Sequence, residues 1–354
     1  MAILVTGATG FLGRFVVLKL LQQKQDIVTL LRNPEQHMPA LCGWLQEKGC
    51  ETAHLSCIQG DLSQTDLAIS SLDWQHLAQV DTLIHTGVLF GWNLTTTQAQ
   101  KTNVDGSLAL IQLLKEHTQL QRIILISGYM LTLKTHLQKC GVNLINPLQT
   151  NWQQIYKKRG SYEASKIEAH FRSLALAQQL QLDWTVIHPA TLIGAFGTRE
   201  IAEQQVFTQI VQQIAQGKML ALPGSAQHIL PWVSVDDVVA CIAQCLKDPS
   251  SYRQEFLLAH PQHLSFHNAV RLIAQQLKIQ PPRFCIPLPI LATLLKWQAI
   301  AQRLNLSREM LDFTYRSTGS ILSLPYNTNI IRRTTETKHD LGTAALFIKN
   351  KGMI

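Results

Sequence analysis

The first apolar positions of the chain form one unbroken run, Ala2-Ile3-Leu4-Val5, and the next recur at helical spacing through Phe15, Val16, Leu18, Leu20 and Leu21. The first pattern predicts a strand covered on both faces, the second a helix over residues 11–23. Ile27-Val28-Thr29-Leu30-Leu31, apolar but for Thr29, reads as a second buried strand. Such runs alternate with helical periods to about residue 188, which predicts a doubly wound, largely parallel α/β sheet with helices on both faces. Within this stretch, Leu131 to Gly160 is polar enough to predict a long loop, and Ser161 to Gln181 reads as a helix. Beyond Pro189 the alternation gives way to a loop over 191–199, a helix around Gln205 to Gln216 and a turn at Gly217 and Pro223-Gly224. The expected organisation is a domain over residues 1–190, re-entered at about 232–247, with residues 191–354 forming mainly a smaller lobe and C-terminal helices.

Between the first strand and the first helix stands Thr6-Gly7-Ala8-Thr9-Gly10-Phe11-Leu12-Gly13. A glycine at position 7 permits a tight turn, one at 10 lets backbone approach a pyrophosphate, and one at 13 lets the helix pack against the strand. The helix N-terminus then faces the phosphates. This predicts a Rossmann-type dinucleotide site lined by Thr6, Gly7, Thr9, Gly10, Phe11, Leu12 and Gly13, with the smaller lobe binding substrate. In such units a carboxylate ending the second strand accepts the ribose 2′-hydroxyl, whereas an arginine accommodates a 2′-phosphate. Here the strand ends in Arg32, with no carboxylate before Glu35. NADP is therefore expected ahead of NAD, unless Arg32 is only a solvated loop charge. Arg14 reads either as a second phosphate neighbour or as a surface residue.

Tyr162 and Lys166 fall four apart in the helical pattern of residues 161–181, so a phenol and an ammonium share one face. A phenol of ordinary pKa near 10 is a weak proton carrier at neutral pH unless a nearby cation favours its ionised form. Lys166 is placed to supply that field, and the pair could then protonate a carbonyl oxygen as hydride arrives from a nicotinamide.

With these motifs in order, the chain resembles the extended short-chain dehydrogenase/reductase superfamily, the NAD-dependent epimerase/dehydratase-like proteins, over nearly its whole length. The resemblance implies that Asp61-Leu62 lies against the adenine, that Thr86-Gly87 forms a cofactor-facing turn, and that Asn103 opens a long helix ending near His117. It assigns cofactor contacts to Tyr162, Lys166 and Pro189 as well. Trp232 to Val238 resembles the strand and helix that return to the core, and Asp340-Leu341-Gly342 a terminal-helix signature. From Gly60-Asp61-Leu62-Ser63 through Asp73-Trp74 to Ile84-His85 the chain is most similar to the thioester-reductase and fatty-acyl-reductase (male sterility) branch, which reduces acyl thioesters with NADPH. One departure concerns mechanism. Most active members carry Ser-Ser or Ser-Thr after the fifth strand, the second hydroxyl holding the substrate oxygen, whereas this chain has Ser127-Gly128. Ser127 then takes the role by a small backbone shift, or Tyr129 or water does.

Composition narrows the setting. With 354 residues and 46% hydrophobic content the chain fills a large core. It shows no apolar run of about 18 residues and no leader pattern, so neither a spanning helix nor a secretory signal is expected. Seven scattered cysteines without a Cys-x-x-Cys pair fit a reduced, cytoplasmic protein. No metal site is expected: Cys241 and Cys245 read as core packing, and His260, His263 and His267 as loop and cap residues. The net charge of +8 is spread along the chain rather than massed in a stripe, which argues against nucleic acid. Ile290 to Leu304 reads either as a helix on a membrane surface or as one packed on the lobe. Phe90, Trp92, Phe196 and Phe207 are candidate pocket aromatics. Helix pairing beside the tyrosine in this superfamily leaves a homodimer open. The functional reading is an NADP-dependent oxidoreductase reducing a small-molecule ketone, aldehyde or acyl thioester, with Tyr162 as acid, Lys166 as its partner and Ser127 as the oxygen ligand. The alternatives are an NAD-dependent sugar-nucleotide epimerase or dehydratase, and an NADP-binding sensor without turnover.

Overall fold

The computed structural model describes residues 2–89, 94–202, 205–219, 221–224, 231–260, 264–282, 284–287, 289–290, 293 and 341–350. Phe90, Trp92, His263, most of the 290–304 segment and Asp340 lie outside the described residues.

The predicted alternation is present. Strands β1 (Ala2–Thr6), β2 (Asp26–Leu31), β3 (Leu55–Gln59), β4 (Val80–His85), β5 (Arg122–Ile126) and β6 (Asp183–Pro189) alternate with helices that include α1 (Phe11–Gln22), α2 (Pro34–Glu47), α3 (Ser71–His76), α4 (Thr96–Ala99) and α5 (Gly106–His117). Leu4, Val5, Leu83, Ile84, Ile123 and Ile124 are buried, as solid apolar runs require of strands covered on both sides. The strand order is β3-β2-β1-β4-β5-β6, with parallel registers such as Leu4 beside Val28 and Leu83. The order reverses between β1 and β4, and at that crevice open α/β sheets bind their ligands.

Three features differ from the sequence reading. A seventh strand, Gln254–Leu258, continues the sheet beside β6. Residues Gln100–Asp105 form a π-helical segment that runs directly into α5. The expected loop over 131–160 instead holds α6 (Lys134–Cys140) and α7 (Trp152–Arg159), because Leu137, Cys140, Trp152, Ile155 and Tyr156 cluster on Ala164 and Ile167. Those last two belong to α8 (Ser161–Gln179), which begins at Gly160 in a left-handed conformation, φ +80.

The chain divides into two compact units, Met1–His188 with Val239–Phe256, and Pro189–Val238 with Leu257–Ile354. In the second, α9 (Val206–Ala215), a helix over Phe266–Leu277 and the helix Leu341–Asn350 enclose an apolar core that includes Phe207, Trp232, Phe266 and Ile273. Phe207 is thus core, with Phe196 packed against its cluster. His260 stacks on Trp232, 3.7 Å between centroids, while His267 sits beside Cys285. Cys241 and Cys245 are buried with sulfurs 3.9 Å apart, and all seven cysteines are free thiols. No helix among the described residues is long and apolar enough to cross a membrane.

Candidate active site

The glycine turn has the shape its sequence demands. Gly7 adopts φ +70, and a Cβ there would press into Thr86 Oγ1 and the Gly87 backbone. Gly10 caps α1 from an extended conformation and donates its N–H to the Gly7 carbonyl at 2.9 Å. A Cβ on Gly13 would fall on that same carbonyl. No side chain caps α1, so its first-turn amides are left to an exogenous acceptor. These residues fit a dinucleotide pyrophosphate.

The other expected cofactor residues surround the turn unevenly. Thr9 is exposed, and Phe11 and Leu12 are half-buried. Arg32 is exposed immediately past β2. Arg14 is not a plain surface charge: its guanidinium lies 4.8 Å from the Trp44 ring centroid and 5.4 Å from those of Phe11 and Phe15. Asp61 uses Oδ1 to accept the Ser63 N–H at 2.8 Å, and the Leu62 carbonyl lies where a Cβ on Gly106 would stand. Pro189 is buried at the end of β6.

Thr86 donates to the Thr6 carbonyl at 2.7 Å, and Gly87 N–H donates to Thr6 Oγ1 at 3.2 Å. Thr6 Oγ1 also lies 2.7 Å from His85 Nδ1, while His85 Nε2 lies 2.9 Å from Ser107 Oγ. Ser107 donates to the Asn103 carbonyl, so its oxygen is free to accept. Hydrogen-bond bookkeeping therefore assigns the proton to Nε2, and Thr6 donates to Nδ1. Burial, with Lys166 nearby, holds the His85 pKa down at about 4, so the ring is neutral. The Asn103 side chain accepts from Leu89 N and donates to Leu89 O and, at 3.0 Å, to Ser165 Oγ.

Tyr162 and Lys166 occupy successive turns of α8, as the spacing predicted. Their electrostatics do not follow the expectation. The Tyr162 phenol keeps some exposed surface, yet the protein packed around it pushes its pKa up to about 12. Desolvation pulls the Lys166 ammonium down to about 8. Burial rather than the field of Lys166 thus sets the direction of the phenol's shift, away from neutrality. Lys166 Nζ donates to the Ser127 carbonyl over a long 3.5 Å. A cavity of about 40 Å³ brings Asn103, Ser127 and Lys166 together with His85, Ser107 and His170. Gly128 is extended, φ −156, and beyond its chain neighbours no heavy atom of the described residues lies within 4 Å of where its Cβ would be.

Tyr162, the glycine turn, Arg32, Asp61, Leu62, Thr86, Gly87 and Pro189 do not line that cavity. Sequence reasoning missed His85, Ser107 and His170. For His85 the available signal was a polar residue closing an apolar strand just before the expected cofactor turn.

The chain matches the NAD-binding family described as male sterility protein over residues 5–242. It is 31% identical over 152 residues to a carboxylic acid reductase of Segniliparus rugosus, a match covering 36% of this chain and 12% of that protein. Against the human fatty acyl-CoA reductase 2 it is 30% identical over 141 residues, covering 36% of this chain and 27% of the relative. The chain thus spans only a small part of these relatives' length. In structure it is similar to the terminal R domain from the myxalamid PKS-NRPS biosynthetic pathway, with a TM-score of 0.75, 19% identity, and coverage of 100% of this chain and 91% of that one. That likeness shows the fold.

Proposed function

Given that the chain belongs to the male sterility protein family of NAD-binding domains, we propose that it is an NAD(P)-dependent oxidoreductase of the extended short-chain dehydrogenase/reductase type that reduces the carbonyl of an acyl thioester or aldehyde with NADPH. The observation that carries this reading is the placement of Lys166 and Ser127 on one cavity, with Tyr162 one helical turn before Lys166. The acid reductase and the acyl-CoA reductase among its relatives favour a thioester over a ketone, and the exposed Arg32 beyond β2 favours a 2′-phosphate.

The glycine turn and the uncapped start of α1 would hold the cofactor's pyrophosphate. When bound, the cofactor supplies the hydride. Tyr162 Oη, protonated throughout the physiological range, gives its proton to the carbonyl oxygen as charge develops there. Ser127 Oγ orients that oxygen, and Lys166, whose ammonium reaches the Ser127 carbonyl on the same cavity, would hold the ribose. Gly128 contributes no second hydroxyl. The seven free thiols suit a cytoplasmic enzyme.

The test is NADPH oxidation, followed by absorbance, against acyl-coenzyme A thioesters, aldehydes, ketones and nucleotide sugars. Turnover of a thioester or aldehyde that falls at least about 100-fold in Tyr162→Phe is expected. NADPH binding without turnover across the panel, or a Tyr162→Phe enzyme of unchanged kcat, overturns the reading.

A further inference from the structure

His188 and Glu255 have no part in the chemistry above and His170 only lines its cavity, yet α8, β6 and the strand Gln254–Leu258 bring the three together with ligand atoms within 4.8 Å of one another. Their separation along the chain, 67 residues between His188 and Glu255, hid the cluster from the sequence reading, which expects no metal.

The hydrogen bonds at His188 call for a positive charge beside Glu255, which either a second ring proton or a metal ion supplies. Its ring is fully buried, with Nδ1 3.1 Å from the Gly128 carbonyl oxygen. A carbonyl only accepts, so Nδ1 carries a proton, and a neutral ring then presents a lone pair at Nε2. That lone pair faces Glu255 Oε2 at 2.7 Å, which is another acceptor when ionised. Two acceptors this close repel unless a positive charge lies between or beside them. His170 Nε2 lies 3.9 Å from the same carboxylate oxygen, and the two imidazole centroids are 5.4 Å apart. The other nitrogen of the buried His170, Nδ1, has no hydrogen-bond partner among the described residues.

Ligand atoms about 2.0–2.1 Å from a tetrahedral ion stand about 3.3 Å apart. The observed 2.7 and 3.9 Å straddle that spacing. The Gly128 carbonyl on His188 Nδ1–H is the kind of outer partner that orients a ligating imidazole. The Glu255 side chain is 42% exposed and offers a route in from solvent. Two imidazoles and one carboxylate suit zinc, whereas calcium and magnesium take oxygen-rich sets.

We propose that His170, His188 and Glu255 form a binding site for a divalent transition metal of the zinc type, tying α8 to β6 and to the seventh strand. A second convergence, His136, Cys140 and Glu163, provides the control. There the Cys140 and Glu163 contacts fall on His136 Nε2, at 3.4 and 2.7 Å, within a cluster that lacks the second imidazole.

The experiment strips the full chain with a chelator, then titrates Zn²⁺ against a chromophoric competitor and Co²⁺ by its visible d–d absorption. One equivalent is expected to bind, with the intense bands of a four- or five-coordinate nitrogen and oxygen site and a Zn²⁺-dependent rise in Tm. Glu255→Gln, exposed enough to leave folding intact by circular dichroism, and His170→Gln should each lose the bound equivalent and the rise in Tm. Cys140→Ser should keep both. Absence of a bound equivalent, meaning that a proton alone bridges His188 and Glu255, overturns the proposal. So does binding that survives both variants, or binding lost in Cys140→Ser.

Discussion

Replacing Lys166 by methionine should make the protein more stable while disabling it. Folding lowers the Lys166 pKa from its usual 10.5 to about 8 through desolvation, so the folded state binds this proton less tightly than the unfolded chain does. The sign follows: the protonated ammonium costs stability at every pH below about 8, and the penalty is relieved as pH rises from about 8 toward 10.5. A shift of this size corresponds to about 3 kcal/mol at about 1.4 kcal/mol per pK unit. Methionine keeps the apolar stem and deletes the charge, but it also forfeits the long hydrogen bond to the Ser127 carbonyl, a loss of about 1 kcal/mol. Urea unfolding should therefore find Lys166→Met more stable by about 2 kcal/mol at pH 7, with the charge-related advantage falling below about 1 kcal/mol at pH 10. A variant that is less stable at pH 7, or whose advantage does not change with pH, would refute the argument.

Gly128→Ser restores a hydroxyl in open space on extended backbone, and should raise kcat by about tenfold or more without loss of Tm; steady-state kinetics on the best substrate checks it, and an unchanged rate would mean that Ser127 alone suffices. Arg32→Glu should weaken NADPH by about tenfold to a hundredfold and leave NADH nearly untouched, read by fluorescence titration of both cofactors. Arg122→Met should destabilise by about 3 kcal/mol in urea, since the buried guanidinium donates to Thr185 Oγ1, Ser251 Oγ and the Cys245 carbonyl and lies 4.1 Å from the Tyr252 ring centroid.

What could be read from the chain was whatever local backbone or spacing dictates. Gly7, Gly10 and Gly13 announce a turn because no side chain fits there, and Tyr162 with Lys166 announces a helical face because four residues make about one turn. The ionisation of that pair was not legible, because it depends on what other elements pack around it. The same holds for α6 and α7: their apolar residues are few, and become a core only against Ala164 and Ile167. The seventh strand and the His170–His188–Glu255 cluster arise from contacts between distant segments, which no periodicity encodes.

The hydrogen bonds around His85 have a direction. Thr6 gives its proton to His85, His85 to Ser107, and Ser107 to the Asn103 carbonyl; the Asn103 amide then gives to Ser165, and Ser165 to the carbonyl of Tyr162. Every link points from the glycine turn toward α8, in two runs that meet at Asn103, whose backbone carbonyl ends the first and whose side-chain amide begins the second. The glycine turn and α8 are thereby held in a common register. The vulnerable link is His85: acid near pH 4 puts a proton on Nδ1, denies Thr6 its acceptor, and uncouples the turn from the helix.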